Sequence, residues 1–210
     1  MSQHKLETVK VWDIGIRVFH WALFAAFVIA YLTSGYETIV HIYSGYLIAG
    51  LVVFRLVWGL LGTQYARFNN FIYSPAVVFA YISRVITRQR TRRYVGHNPA
   101  GGWMVLALLL CLATVSVSGL KLYALVENSG PFAAIDFEPG LVGVAHADVD
   151  EIYQWSEEAE EAEELWEEIH ESSTNLALLL IILHIGGVII SSKMHGENLV
   201  RAMLTGMKKR

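Results

Sequence analysis

Residues 170–192 read HESSTNLALLLIILHIGGVIISS, and this stretch decides the fold. It is long and apolar enough to cross a bilayer, which needs about 20 residues. It also carries a histidine at each end, His170 and His184. Fourteen steps of about 100° return the second to within ~40° of the first, roughly 21 Å further along the axis. One helix face therefore presents two imidazoles, one near each side of a membrane.

Working outward, three more stretches have the same character, at about 17–35, 40–62 and 102–124. Composition agrees. Mean hydropathy is +0.42, 54% of residues are hydrophobic and only 17% are charged. A soluble domain carries about 25% charge. Bare N–H and C=O groups find no partner in lipid, so each span is helical. The first is not a cleaved leader: it opens on Trp12-Asp13, holds His20 inside its apolar run and has no small-residue cleavage site. The expectation is one all-α domain over 1–210, a four-helix transmembrane bundle.

Charge orients the bundle. The loop 63–101 holds Arg67, Arg84, Arg88, Arg90, Arg92 and Arg93 and no acid, whereas 124–171 holds 15 of the 19 acids and no Lys or Arg. By the positive-inside rule both termini and that loop are cytoplasmic. The 36–39 turn and the acidic segment 125–169 then face the periplasm of a bacterial inner membrane. Nothing here suits nucleic acid.

Both loops have structure of their own. Residues 75–87 start with Pro75 at a helix-opening position and are too short to span. They read either as a helix on the inner leaflet with arginines toward headgroups or as one packed on the bundle. In the acidic segment, Ile152, Trp155, Ala159, Ala162, Trp166 and Ile169 recur at alternating intervals of 3 and 4. That is a narrow apolar stripe on a Glu-covered helix. Nothing breaks the helix from Glu151 to Ser192, so the fourth span is expected to project outward as an acidic periplasmic extension. It starts near Asp148 and Asp150, whose charges suit a helix N-terminus.

Two further spans each contribute one histidine, His20 and His41. Taken singly, each of the four is open to two readings, a ligand or an interhelical hydrogen bond. Together they form layers. The alternating direction of the spans puts His20 with His184 near the inside and His41 with His170 near the outside. Neutral imidazole is a usual nitrogen ligand for iron. Two facing pairs read as axial ligands of two stacked haems. The single Cys111 rules out a C-x-x-C-H attachment, so the haems are b-type; Cys111 itself reads as a small apolar filler.

Haem propionates need cations. Arg55 lies 14 residues after His41 and returns to the same face at the inner layer; Arg17 lies three before His20. Both suit the inner haem, and Lys121 suits the outer. Snorkelling to headgroups is the competing reading for Arg17 and Lys121. Gly45, Gly50, Gly186 and Gly187 admit either a macrocycle or close helix packing. His4, His97, His146 and His195 read as surface or capping residues. No catalytic side chain stands out.

The motifs Trp12-Asp13-x-x-x-Arg17-x-x-His20-Trp21, His41-x-x-x-Gly45 with Arg55 and Trp58-Gly59, and His170-Glu171 with His184 resemble the bacterial cytochrome b561 family. The nearest branch includes the cytochrome b subunits of nickel-iron hydrogenases. The resemblance spans all four helices and implies two b haems on His20, His41, His170 and His184, with electron exchange with membrane quinone. His195, at the inner boundary, is then open to a part in proton transfer to quinone. The departure is the acidic stretch 148–169. It points to a basic periplasmic redox protein such as a c-type cytochrome, with a hydrogenase small subunit as the other candidate. Two rivals stand beside this reading. A superoxide:quinone oxidoreductase of the same fold needs a cationic funnel outside, against which the acids argue. The other is a non-haem metal or proton conduit using the same histidines.

Overall fold

A computed structural model describes residues 8–34, 39–89, 91–133 and 149–209. The 36–38 part of the outer turn, His4, His146 and the start of the acidic segment lie outside the described residues. Four helices are long and apolar enough to cross a membrane. They are α1 (Ile14–Thr33), α2 (Ile39–Leu61), α4 (Pro99–Glu127) and the membrane part of α5 (Val149–His195). Two shorter helices, α3 (Pro75–Ile86) and α6 (Leu199–Thr205), stand at one end.

Local signals set the helix ends. Asp13 caps α1 by accepting the Ile16 N–H at 3.0 Å. Asn98 caps α4 by accepting the Gly101 N–H at 2.7 Å, with Pro99 at the first helical position. Asn128 closes α4 with φ 48°, in the left-handed region that Asn tolerates.

α4 packs most extensively on α5, α1 on α2, and α2 on α4. The core of the bundle is Ala26, Phe27, Ala30, Ile48, Val52, Cys111, Leu112 and Ala177. Ala177 is fully buried and lies seven residues from both His170 and His184. The core therefore forms an apolar floor between the two histidine layers. Cys111 is buried there, and its thiol also donates to the Ser173 carbonyl at 3.2 Å. Large apolar side chains elsewhere, such as Leu60, Leu61 and Leu110, point outward, where lipid takes the place of water.

The end of the bundle taken as inner carries a cap that hydropathy does not reveal. β1 (Thr8–Lys10) pairs antiparallel with β2 (Met207–Lys209), Val9 opposite Lys208, so these two segments lie on one side of the bundle. Val11, Trp12, Ile16, Ala66 and Ala202 form a second apolar cluster. Glu197 pairs with Arg93 and with Lys208, the latter at 3.3 Å. Gly59 is required here, because a Cβ would collide with the Phe68 ring that folds beneath α2. Helix α3 buries Val78 and Tyr81 and packs on α4, leaving Val77, Phe79 and Ile86 exposed.

α5 is 47 residues long, roughly 70 Å at 1.5 Å per residue. About 30 Å of it precedes His170. In the described part, Ala159, Ala162, Trp166 and Ile169 are half-buried while the intervening Glu side chains are exposed. The side chains of Ile152 and Trp155 lie outside the described residues.

Candidate haem sites

α5 places one imidazole in each layer, and a different helix meets each. His41 of α2 faces His170 with ring centres 6.2 Å apart and planes at 78°. His20 of α1 faces His184 with ring centres 6.5 Å apart and planes at 49°. Two imidazole nitrogens on opposite sides of one first-row metal, each about 2.0–2.1 Å from it, put ring centres about 6.4 Å apart. Both pairs therefore have the separation that a shared axial metal requires.

Hydrogen bonds select the nitrogen that remains available. His41 Nδ1 donates to the Ala30 carbonyl at 2.9 Å. His170 Nδ1 donates to the Val115 carbonyl at 3.0 Å, with Ser118 Oγ 3.1 Å away. Each ring then keeps its Nε2 lone pair for a ligand, the arrangement by which metal-binding histidines are oriented. Gly119 makes room for this ring: a Cβ there would lie 2.9 Å from His170 Cε1. The inner pair is held differently, since His20 Nδ1 is buried without a hydrogen-bond partner among the described residues.

The candidate cations divide. Arg55 is 3% exposed, and its Nη1 has no partner among the described residues. Its guanidinium stacks 4.8 Å from the Phe68 ring centre. This is a buried cation awaiting an anion, as a propionate partner would be. Arg17 is tied instead to the cap: its Nη2 donates to the Leu204 carbonyl, and only its Nε is buried without a partner. Lys121 sits 5.4 Å from the Phe132 ring centre, a cation–π contact.

A Cβ on Gly45, Gly50, Gly186 or Gly187 would meet nothing within 4 Å, so none of them serves close helix packing. Gly45 is half-buried and follows His41 by one turn, leaving open room beside that histidine. Among the described residues, no three of His, Cys, Asp and Glu converge as ligands of a metal held by protein alone. The pairs suit a group that brings its own equatorial donors, as haem does.

His97 is a correction to the surface or capping role expected for it. Its ring is wedged between Trp12, at 4.7 Å, and Phe71, at 4.5 Å, with Nδ1 buried and unpartnered. The cap that half-buries it draws on Trp12 and Phe71, which local spacing does not connect. Burial first, then the Arg55 and Lys208 charges and His184, hold it at about 3, well below the usual imidazole range. It is therefore neutral at pH 7. His195 Nε2 lies 3.3 Å from Thr91 Oγ1 at the cap edge. Gly119 and the Val115 and Ala30 carbonyls also escape sequence reasoning, because each meets its histidine from another helix.

A family model described as prokaryotic cytochrome b561 matches residues 11–206. A probable Ni/Fe-hydrogenase B-type cytochrome subunit from Rhizobium leguminosarum bv. viciae is 26% identical over 152 aligned residues. That match covers 59% of this chain and 62% of the relative, so less than two thirds of the relative's length is spanned. No solved structure matches.

Proposed function

The chain belongs to the prokaryotic cytochrome b561 family, a membrane cytochrome of the b type, and on that premise we propose that it carries electrons across the bacterial inner membrane through two b haems. The observation that carries this reading is the pair of facing imidazoles in each layer, both sharing α5. His20 and His184 hold the inner haem; His41 and His170 hold the outer. Haem bound there supplies reversible one-electron chemistry at its iron. Two protein ligands leave no open coordination position, which favours electron transfer over oxygen chemistry.

The remaining side chains position and tune. The Ala30 and Val115 carbonyls fix the outer rings. Arg55 faces the inner carboxylates, with Arg17 Nε secondary, and Lys121 serves the outer layer. The apolar floor around Ala177 keeps water out between the layers. With both termini cytoplasmic, as the arginine distribution favours, the inner layer faces the cytoplasm and exchanges electrons with membrane quinone. The outer layer meets a periplasmic partner. The Glu-covered projection of α5 favours a basic c-type cytochrome. The name of the Rhizobium relative favours a nickel-iron hydrogenase as the second candidate.

Proteoliposomes test this. Quinol added to the lipid should reduce the haem bands, and an external basic c-type cytochrome or a hydrogenase small subunit should exchange electrons with them. Haem bands that respond to neither quinol nor an external partner would refute the proposal.

A further inference from the structure

Two buried donors at the inner end point at a group that the imidazole pair does not account for. Arg55 Nη1 and His97 Nδ1 are both buried, and neither has a hydrogen-bond partner among the described residues. They come from different elements, α2 and the residue before the α4 cap, yet they meet on one ring. Phe71 lies 4.5 Å from the His97 ring centre and 5.8 Å from the Arg55 guanidinium carbon. Buried donors are rarely left bare, and an unpaired buried cation is the costliest case.

Among the described residues, the acids near this end are already committed. Asp13, whose field reaches Arg55, accepts the Ile16 N–H at 3.0 Å, Trp58 Nε1 at 3.2 Å and Thr63 Oγ1 at 2.6 Å. Glu197 is held by Arg93 and Lys208. Arg17 has given its Nη2 to Leu204. No described acid is left for the unmet donors, and an anion from outside the chain would meet them. Arg55 follows His41 by 14 residues on α2, roughly 21 Å along that helix, which puts the two donors at the level of the inner layer.

We infer that Arg55 and His97 together grip one carboxylate of the inner haem, with Phe71 as the wall between them. The guanidinium supplies a charge-assisted hydrogen bond and the neutral imidazole an ordinary one. This makes His97 a binding residue of the inner site and rests on the two-haem reading above.

The test separates the carboxylate from the rest of the macrocycle. The full-length chain carrying His41→Ala, so that only the inner pair can bind, is stripped of haem in detergent. It is refilled with haem b or with haem b dimethyl ester, whose carboxylates are blocked. The parent should retain the free acid about tenfold better than the ester, the size of effect that a lost supporting contact has at metal sites. His97→Phe and Arg55→Leu should each erase much of that preference while ester retention stays as in the parent. His97→Asn, which keeps a donor near the Nδ1 position, should restore most of it. Equal retention of acid and ester by the parent overturns the inference. So does a His97→Phe chain that loses both equally, since that marks a packing role only. Failure of the parent's inner pair to take either pigment, with the outer pair of the wild type filled, refutes the inner-haem assignment itself and the inference with it.

Discussion

His170 Nδ1 lies 3.0 Å from the Val115 carbonyl oxygen, and this contact between α5 and α4 leaves Nε2 as the nitrogen that His170 can offer to a ligand. The ring reaches that position only because Gly119 has no side chain. A Cβ at 119 would lie 2.9 Å from Cε1 and 3.2 Å from Nδ1 of the same imidazole. Gly119→Ala should therefore push the ring off its carbonyl and weaken outer haem retention by about 10–100-fold. The inner haem should stay. Haem transfer to apomyoglobin, followed at the absorption of each haem, checks this.

With haem on the inner pair as proposed, Arg55 should raise its potential. A cation held near an iron centre favours the added electron. One charge at roughly 10 Å, at an effective dielectric of about 20, contributes about 1.7 kcal/mol. A tenfold change in a one-electron equilibrium is about 59 mV, so Arg55→Leu should lower the inner potential by several tens of millivolts. The outer haem should be nearly unchanged. A redox titration that shifts only the outer haem contradicts the placement of Arg55.

Asp13 ties the start of α1 to the end of α2 through Trp58 and Thr63. Its burial alone would raise the carboxyl pKa. The bonds from Thr63, Ile16, Trp58 and Gly15 together outweigh that and lower it below 3.8. A depressed carboxyl stabilises the fold fully above its unfolded value, and that stabilisation is lost as pH falls through the folded value. Asp13→Ala should cost about 0.5–2 kcal/mol at pH 7, the range for a lost N-cap. The gap from wild type should narrow below about pH 3.8. Thermal unfolding in detergent at pH 7 and pH 3 measures both arms.

The projecting part of α5 exposes Glu160, Glu161, Glu163, Glu164, Glu167 and Glu168 next to His170. Such a field speeds the docking of a basic protein, most strongly at low salt. Changing four of these Glu to Gln should slow electron exchange with a basic c-type cytochrome at low salt by about tenfold or more. Little difference should remain at high salt, where the Debye length shrinks. Stopped-flow traces across a salt series decide it; a rate indifferent to both salt and charge removal leaves the helix no part in docking.

The four spans were legible because lipid imposes one rule on every segment: about 20 apolar residues and a helical backbone. The 14-residue interval from His170 to His184 carried the layer pairing, and the structure brings those same pairs face to face. The cap was not legible. Its strands are three residues each and come from opposite ends of the chain, so no local period announces them. The ring contacts of His97 are hidden for the same reason: Trp12 and Phe71, which flank it, are distant in sequence. Arg17 has the spacing of a propionate partner, yet the Leu204 carbonyl that engages it lies 187 residues away. The carbonyl partners of His41 and His170 are main-chain atoms, which any residue type could supply.

On the proposed reading each facing imidazole pair holds one b haem. Haem per chain, counted as the pyridine haemochrome in wild type, His184→Ala and His41→Ala, tests it most directly. The account predicts two haems in wild type and one in each variant. The inner haem is lost with His184 and the outer with His41, which makes the two residual spectra different. A wild-type chain with fewer than two haems, or a His184→Ala chain that still carries two, would contradict it.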